Sequence, residues 1–510
     1  VPSISDERSR HCVIDHRPGH YLCFPDVRTA ANGTLITVYN EYDQHVGRRR
    51  KLLMQTSADS GRTWSGPRLI RARRSHCPRM TVLSDGQIIL FDDVRPNVGW
   101  SLDNGADWAF DENASGIGHG LLDRPLELDG ETLLTVGHNH RGTVAHPAIR
   151  QAPTEQMFYR SEDRGVTWQQ RCPLPHHPNL VLCEGSLCMF PDGRLACIMR
   201  ENSMVYEPMY LCLSEDNGDT WSEPLPTPLI GHRPTLGLTP SGKLLVTYRN
   251  VAPDRGTAAW LGTFDELCSD YRVHGRLSRA NPPQLTDRGM RIANPAGEDV
   301  TRFALRPMTD PRTATAELAA SLRVDEAGPN GCGLRLGTWW RVFPDRIEPE
   351  GGTPVPLEPG KFNDIRLIYG NGVVSLTVNG SPACEITVDP NSAETRGILF
   401  GAPLPFEDNA VDSLWREVRL SVHEPSCFRD HHWAWSHREG LPDNWMRENV
   451  LELKNDERAA WADFGYSGWC VTPDGDFFCA YHHGGGDEPD YRPGLSSRIM
   501  GTRFSEDDFA

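Results

Sequence analysis

An all-β fold, a six-bladed β-propeller carrying an inserted β-sandwich, is predicted by three features of this 510-residue sequence. The first is an octet ending in tryptophan that recurs as SADSGRTW (Ser57–Trp64), SLDNGADW (Ser101–Trp108), SEDRGVTW (Ser161–Trp168) and SEDNGDTW (Ser214–Trp221). Its spacing of roughly 45–60 residues points to a propeller or solenoid. The second is a run of apolar strands joined by tight glycine turns, clearest in residues 182–221, where two strands meet at Asp192-Gly193. Alternating apolar residues bounded by Asp-Gly or Asn-Gly are the strongest local hairpin signal. The third is a change of texture over residues 270–425. There FNDIRLIYGNGVVSLTVNGSPACEITVD alternates apolar and polar residues around Asn-Gly turns, without an octet, as sandwich strands do.

In the octet the aspartate can bond to N–H groups of its own turn, the glycine supplies a positive φ, and the tryptophan buries a large ring between sheets. The second copy departs from the rest, with Ala106-Asp107 where the others have a residue followed by threonine. This is a folding device without chemistry of its own.

Taken in order, residues 10–16 (RHCVIDH) read as a lone strand that completes the last blade, so that the ring closes without a free sheet edge. Blades one to four are expected at about 20–70, 75–112, 118–172 and 180–226, and blade five opens at Gly231. The expected division is residues 1–268 for blades one to five, 269–426 for an inserted laminin-G or concanavalin-like sandwich, and 427–510 for the end of blade five and blade six. Within the last part, WAWSHREGLPDNW (Trp433–Trp445) reads as a worn octet resuming blade five. GYSGWCVTPDGDFFCAYHH then forms blade six.

A net charge of −17 argues against nucleic acid or anionic membrane as the main partner. No apolar run is long enough to span a bilayer, and the start does not read as a signal peptide, although an opening Val leaves room for a removed leader. The fourteen cysteines lack CxxC pairs and metal-like spacing. Several (Cys183, Cys188, Cys197, Cys212) fall in strand-like runs. Buried reduced thiols favour the cytoplasm over a periplasmic or secreted location. No zinc or phosphate-loop motif is present, and neither a metal nor a cofactor is expected.

The repeats align on the glycine of the inner hairpin turn: Gly33, Gly86, Gly193, Gly242 and Gly475. Nine residues back stand Phe24, Cys77, Glu184, Arg233 and Tyr466, and one position earlier Cys23, His76, Cys183, His232 and Gly465. Seven residues forward stand Asn40, Asp93, Arg200, Arg249 and His482. Strands of a hairpin are antiparallel, so both sets lie at the end away from the turn, and radial symmetry gathers them at one mouth of the ring. Blade three, with Asp123 and Arg124 closer to its Gly130, keeps an open register. A polar, charge-mixed mouth among apolar strands suits a small-molecule site.

The octets resemble the Asp-box of the sialidase superfamily, and GYSGW resembles that family's Tyr-Ser segment. The resemblance implies a six-bladed propeller with glycosidase activity, in which Tyr466 is the nucleophile and Glu184 the partner that takes its proton. A neutral nucleophile suits an anionic sugar, which would repel a carboxylate. The resemblance further implies an acid on a first-blade loop, for which YNEYDQH offers Asp43 and, with a weaker claim, Asp26. Of the three arginines that clamp the substrate carboxylate, Arg200 fits the second and Arg255 the third. The first is absent, because Cys23-Phe24-Pro25 stands in its place. Arg28 has the opposite strand parity; Arg79 or Arg124 could substitute from neighbouring blades. Arg233, Arg249, His76 and His232 complete the expected wall. An acidic oligosaccharide is the implied partner, with a uronate or ulosonate fitting as well as sialic acid.

Two other functions fit the same residues. A lyase acting on uronates needs a base near the C5 proton and cations at the carboxylate, which His76, His232 or Tyr466 with Arg79 and Arg233 could supply. A glycan-binding protein without catalysis is compatible with the missing arginine and the inserted sandwich.

Overall fold

The computed structural model describes residues 2–45, 47–72, 75–92, 97–111, 116–140, 154–174, 180–202, 207–252, 255–278, 280–298, 300–403, 408–425, 430–460 and 463–509. Six four-stranded antiparallel sheets form the propeller, and two larger sheets form the inserted β-sandwich. Blade one runs Tyr21–Thr29, Leu35–Tyr42, Arg50–Ser57, Arg68–Arg71, and blades two to four repeat this up-and-down order at 79–111, 126–173 and 182–226. Blade five takes three strands from Gly231–Gly262 and its outermost strand, Val450–Asn455, from beyond the insert. Blade six consists of Ser467–Val471, Phe477–His483 and Arg498–Phe504, with the N-terminal strand His11–Asp15 as its outer edge. Val13 pairs with Met500 there, so the two ends of the described chain close the ring.

The octets are local scaffolds of one geometry. In each copy the serine Oγ donates to the aspartate at 2.7–2.8 Å and accepts the glycine N–H at 2.7–2.9 Å. The tryptophan Nε1–H returns to the glycine carbonyl at 3.1–3.2 Å. Its ring then packs on the preceding blade: Trp64 on Phe478, Trp168 on Phe91, and Trp221 stacked on Phe158 with centroids 4.1 Å apart. In the second copy Asp107 N–H still reaches Asp103, so the loss of threonine removes only the hydroxyl contact.

The sandwich packs a seven-stranded sheet on an eight-stranded one around Leu318, Trp340, Phe400 and Trp415. His431–Ser436 pairs with Val411–His423 as part of the larger sheet. The segment Trp433–Trp445 is therefore a sandwich strand followed by helical turns rather than an octet, and blade five resumes only at Val450. Polar groups with almost no exposure join the sandwich to blade four. Thr309 Oγ1 donates to Glu207 Oε1 (2.9 Å) and Arg396 lies 3.8 Å from the same carboxylate, while Arg306 and Glu424 pair at 3.5 Å within the sandwich. Buried charges persist only when paired in this way. Glu207 lies on the stretch linking the second and third strands of blade four, five residues beyond Asn202.

A Cβ at Gly61, where φ is +85°, would lie 2.3 Å from the Phe478 ring. Gly61→Ala is expected to lower stability by about 2–4 kcal/mol through left-handed strain plus overpacking. Gly66→Ala, with open space around it, is expected to stay within about 0.5 kcal/mol. Urea denaturation of the two variants checks the contrast.

Candidate functional site

The innermost strands deliver their mouth-side residues through a shared backbone distortion. Phe24 (φ +56°), Cys77 (+48°), Leu121 (+50°), Glu184 (+51°) and Arg233 (+52°) are all left-handed. Each stands nine residues before its hairpin glycine, which also fixes the register of blade three. The strand ladder skips at this point in blades one, four and five, between Cys23 and Asp26, Cys183 and Ser186, and His232 and Thr235. Such bulges re-aim a side chain where a regular pleat would bury it. In blade six the left-handed residue is Gly465. A Cβ there would come within 2.9 Å of Gly256 O and of Arg249, so only glycine lets the chain pass and presents Tyr466 next.

Three expected residues meet at hydrogen-bond distance. Tyr466 Oη donates to Glu184 Oε1 (2.7 Å), and Arg200 Nη1 donates to both Glu184 Oε2 (2.8 Å) and Tyr466 Oη (2.7 Å). Arg200 Nη2 is held by Asn202, and the Arg249 guanidinium lies over the Tyr466 ring, 4.1 Å from its centroid, with Nε on Phe464 O. All of these side chains are buried. Burial alone would raise the Glu184 carboxyl, yet Arg200 and Arg233 hold it well below the usual carboxylate range. Burial lifts the Tyr466 phenol above its ordinary value, against the pull of Arg200. The phenol is thus protonated beside an ionised carboxylate and a fixed guanidinium, which is how a hydroxyl is poised to become a nucleophile.

His138 Nδ1 accepts the backbone N–H of Glu184 (3.2 Å) and so braces the strained residue. Burial holds its imidazole neutral, at about 3. Beside the phenol, Phe24 stands 5.1 Å from the Tyr466 ring and 5.0 Å from His76, in a cluster with Tyr42 and Cys77. His76 Nδ1 is bonded to Tyr42 Oη, and burial followed by the charge of Arg50 takes it down to about 3. His232 is buried in blade five, and burial and then Arg200 drive it well below the usual imidazole range. Asp92 accepts the His76 N–H at 2.8 Å, and burial pushes its carboxyl up to about 7. Asp93 lies outside the described residues.

Other expected site residues are placed elsewhere. Asp26 is completely buried on the axis beneath the mouth, where Arg124 Nε donates to it (3.0 Å), Arg79 lies 3.7 Å away and Met80 N–H donates at 2.8 Å. Burial opposes its charge, but Arg124 and Arg79 bring the carboxyl down to about 2, so Asp26 is ionised and cannot serve as an acid. Arg79 and Arg124 are both engaged with Asp26, and Arg79 also donates to Thr235 Oγ1 (3.2 Å). Arg255 reaches the Glu457 carbonyl (2.7 Å) at the edge of blade five, whereas Arg249 lies over the Tyr466 ring. Asp43 is exposed on the loop after Tyr42 and accepts Arg49 N–H (3.3 Å), outside the Tyr466 network. Past the Asp26 layer, a cavity of about 490 Å³ opens at the far end of the axis, lined by Arg28, Leu187, Leu236 and Trp469. It holds none of the paired titratable groups found at the mouth.

A model of the BNR repeat-like domain matches residues 93–257. The matched stretch lies within the six-bladed propeller. The comparison with curated proteins returns no match. Among solved structures, the chain is similar to a protein of unknown function from Dyadobacter fermentans (17% identity, TM-score 0.45, covering 58% of this chain and 93% of that one). It is also similar to an α-L-arabinanase of Penicillium chrysogenum complexed with arabinobiose (13%, 0.38, 56% and 92%). A third is a Trypanosoma rangeli sialidase in complex with a difluorinated keto-deoxy-nononic acid (10%, 0.34, 81% and 96%).

The Asp92 carboxyl is displaced upward from 3.8 to about 7, so the folded state keeps a proton that the unfolded chain releases. Its contribution makes stability fall as pH rises from about 4 to 7. His76, displaced downward to about 3, acts in the opposite sense below 6.5. Asp92→Asn is therefore expected to remove a downward slope, so that the variant gains on the wild type between pH 4 and 7. Urea midpoints across that range give the difference.

Proposed function

We propose that the chain is an exo-acting glycoside hydrolase of the sialidase-like kind, acting on an acidic sugar. The observation that carries this reading is the single hydrogen-bonded unit of Tyr466, Glu184 and Arg200. Glu184 Oε1 takes the phenolic proton as Tyr466 Oη bonds to the anomeric carbon and the glycosidic oxygen leaves. Asp43, on the solvent-open loop after Tyr42, is the donor assigned to that oxygen. Water then gives a proton to Asp43 as it attacks the anomeric carbon, and the departing phenolate takes back the proton held on Glu184. Arg200 stabilises both the carboxylate before transfer and the phenolate after it. Arg200, Arg233 and Arg249 outnumber Glu184 at this side of the mouth, which suits an anionic ligand better than a neutral one.

Tyr466→Phe is expected to lose at least about 10³-fold in kcat. Glu184→Gln, which keeps a hydrogen bond without the base, is expected to lose about 10²–10⁴-fold. Aryl glycosides of acidic sugars read both. Full turnover by the two variants would remove the proposed chemistry.

A second reading rests on Tyr42 and His76, a neutral imidazole bonded to a phenol at the mouth. That pair could abstract the C5 proton of a uronate, with the arginines neutralising its carboxylate. Unsaturated uronate products absorb in the near ultraviolet. Their formation, abolished by His76→Gln and kept by Tyr466→Phe, would favour the lyase over the hydrolase.

A further inference from the structure

Past the Asp26 layer, every blade gives a residue to the cavity of about 490 Å³: Arg28, Val82, Leu126, Leu187, Leu236 and Val471. A largely hydrocarbon lining with a few fixed polar groups, at this size, is the usual build of a small-molecule site. The polar groups of the lining fall into two kinds. Thr81 Oγ1 donates to Pro125 O (2.7 Å), Thr29 Oγ1 donates to Val471 O, and Glu127 accepts from Ser84 through both oxygens. These are satisfied by the fold. The two arginines are satisfied only in part. Arg28 donates from Nε to Met80 O (3.1 Å) and from Nη1 to Trp469 O (2.6 Å), and Arg124 gives Nε and Nη2 to Asp26. Arg28 Nη2 and Arg124 Nη1 have no partner among the described residues, and Arg28 makes no ion pair among them. Holding two carbonyls explains Nε and Nη1 of Arg28 but not its charge, since an uncharged donor would serve a carbonyl as well. Burial, and then the charge of Arg124, bring the Arg28 guanidinium down from 12.5 to about 9, and Asp26 and Asp123 offset this only in part. Two like charges therefore border one apolar cavity with donors to spare, a cost that a bound anion would relieve.

We propose that this end of the axis is a second binding site, for a monocarboxylate with a compact apolar body. Its carboxylate accepts from Arg28 Nη2 and Arg124 Nη1, and its hydrocarbon lies against Leu126, Leu187, Leu236 and Val471. A sugar acid would strand hydroxyls against those side chains. An apolar body removes surface from water on both sides. The site lies past the Asp26 layer from Tyr466 and does not depend on the chemistry proposed there.

Calorimetric titration and saturation-transfer NMR on the full chain test this with three probes: cyclohexanecarboxylate, cyclohexanecarboxamide and acetate. The first is expected to bind at one equivalent. The amide lacks the charge and acetate lacks the apolar body, so each is expected to bind at least about tenfold more weakly. Arg28→Met keeps an apolar stem, removes the charge and is expected to weaken cyclohexanecarboxylate by at least about tenfold. Because that change also frees two carbonyls, Val82→Glu is the second variant. It adds a carboxylate to the partly exposed wall, keeps the Arg28 bonds and is expected to cause a similar loss. Tyr466→Phe is expected to bind as the wild type does. Should Arg28→Met fail to fold, Val82→Glu carries the comparison. Binding that survives Val82→Glu would assign the carboxylate to the arginines of the mouth and overturn the proposal. Equal binding of the acid and its amide, equal binding of the acid and acetate, loss in Tyr466→Phe, or no binding of the acid would overturn it too.

Discussion

Closing six sheets into a ring leaves the inner edge of every innermost strand facing the axis, with N–H groups that no neighbouring strand can take. Buried donors must find acceptors, and here side chains of the adjacent blade supply them. Asp26 accepts Met80 N–H, Asp123 accepts Leu187 N–H, and Ser186 accepts Leu236 N–H, each seven residues before a hairpin glycine and each tying one blade to the next. Using carboxylates for this work brings charge onto a dry axis, which must be matched. Arg124 and Arg79 match Asp26. The absence of a Cβ at Gly468, which would stand 2.1 Å from Asp26 Oδ1, leaves room for the pair. The stitched axis is thus a structural layer, and it consumes the two arginines and the aspartate that sequence position alone would lend to the mouth.

Two residues earlier on the same strands the backbone turns left-handed, and the side chains leave the axis for the rim. Five such residues other than glycine, at about 1–2 kcal/mol each, are a substantial strain for a protein of ordinary stability. Regular pleating would avoid it at the expense of pointing Glu184 and Arg233 into blade interfaces. Strain of this kind is held where surrounding contacts over-determine it. At Glu184 those contacts are the His138 ring on its N–H and the Arg200 guanidinium on its carboxylate. The distortion therefore separates two functions that lie two residues apart, stitching at one position and presenting groups to a ligand at the other.

Much of this was legible in the sequence. The octets announce blades because Ser, Asp, Gly and Trp act within a single turn, and local chemistry survives reading without coordinates. Counting from the hairpin glycine also brings Tyr466, Glu184, Arg200 and Arg249 to one rim, since that count measures distance along a strand. It does not measure direction. Arg79 and Arg124 are near the right end and point to the axis, and Arg255 begins a strand but turns to the Glu457 carbonyl. A signal for the bulge was present in Phe24-Pro25, Cys77-Pro78 and Arg233-Pro234, because a proline without an N–H marks a broken ladder. Blade three hides its register behind a longer turn: Gly120 bridges to His138 at the mouth end, so its second strand, though not its first, is displaced by one in the count from the hairpin glycine. Asn202 and Asp92 act through loops whose course no periodicity encodes, and the last sandwich strand, His431–Ser436, looks like a blade remnant until its pairing with Val411–His423 is known.

The electrostatics of the site also bear on its proposed chemistry. A carboxylate held low by two guanidinium groups is a weak base toward a phenol that burial has made less acidic, so the resting pair stores its proton securely on Tyr466. An anionic ligand entering between Arg233 and Arg249 would share their charge. It would loosen their hold on Glu184 and raise the basicity of that carboxylate at the moment the anomeric carbon arrives, because nearby charge sets the proton affinity of a buried acid. Arg200, bonded to both oxygens, would remain to favour the phenolate. An uncharged sugar would occupy the same space and leave Glu184 as it was. On the proposed reading, a requirement for an acidic substrate would lie as much in activating the base as in binding the ligand, and would give the arginines of blades four and five a role that a purely apolar rim could not fill.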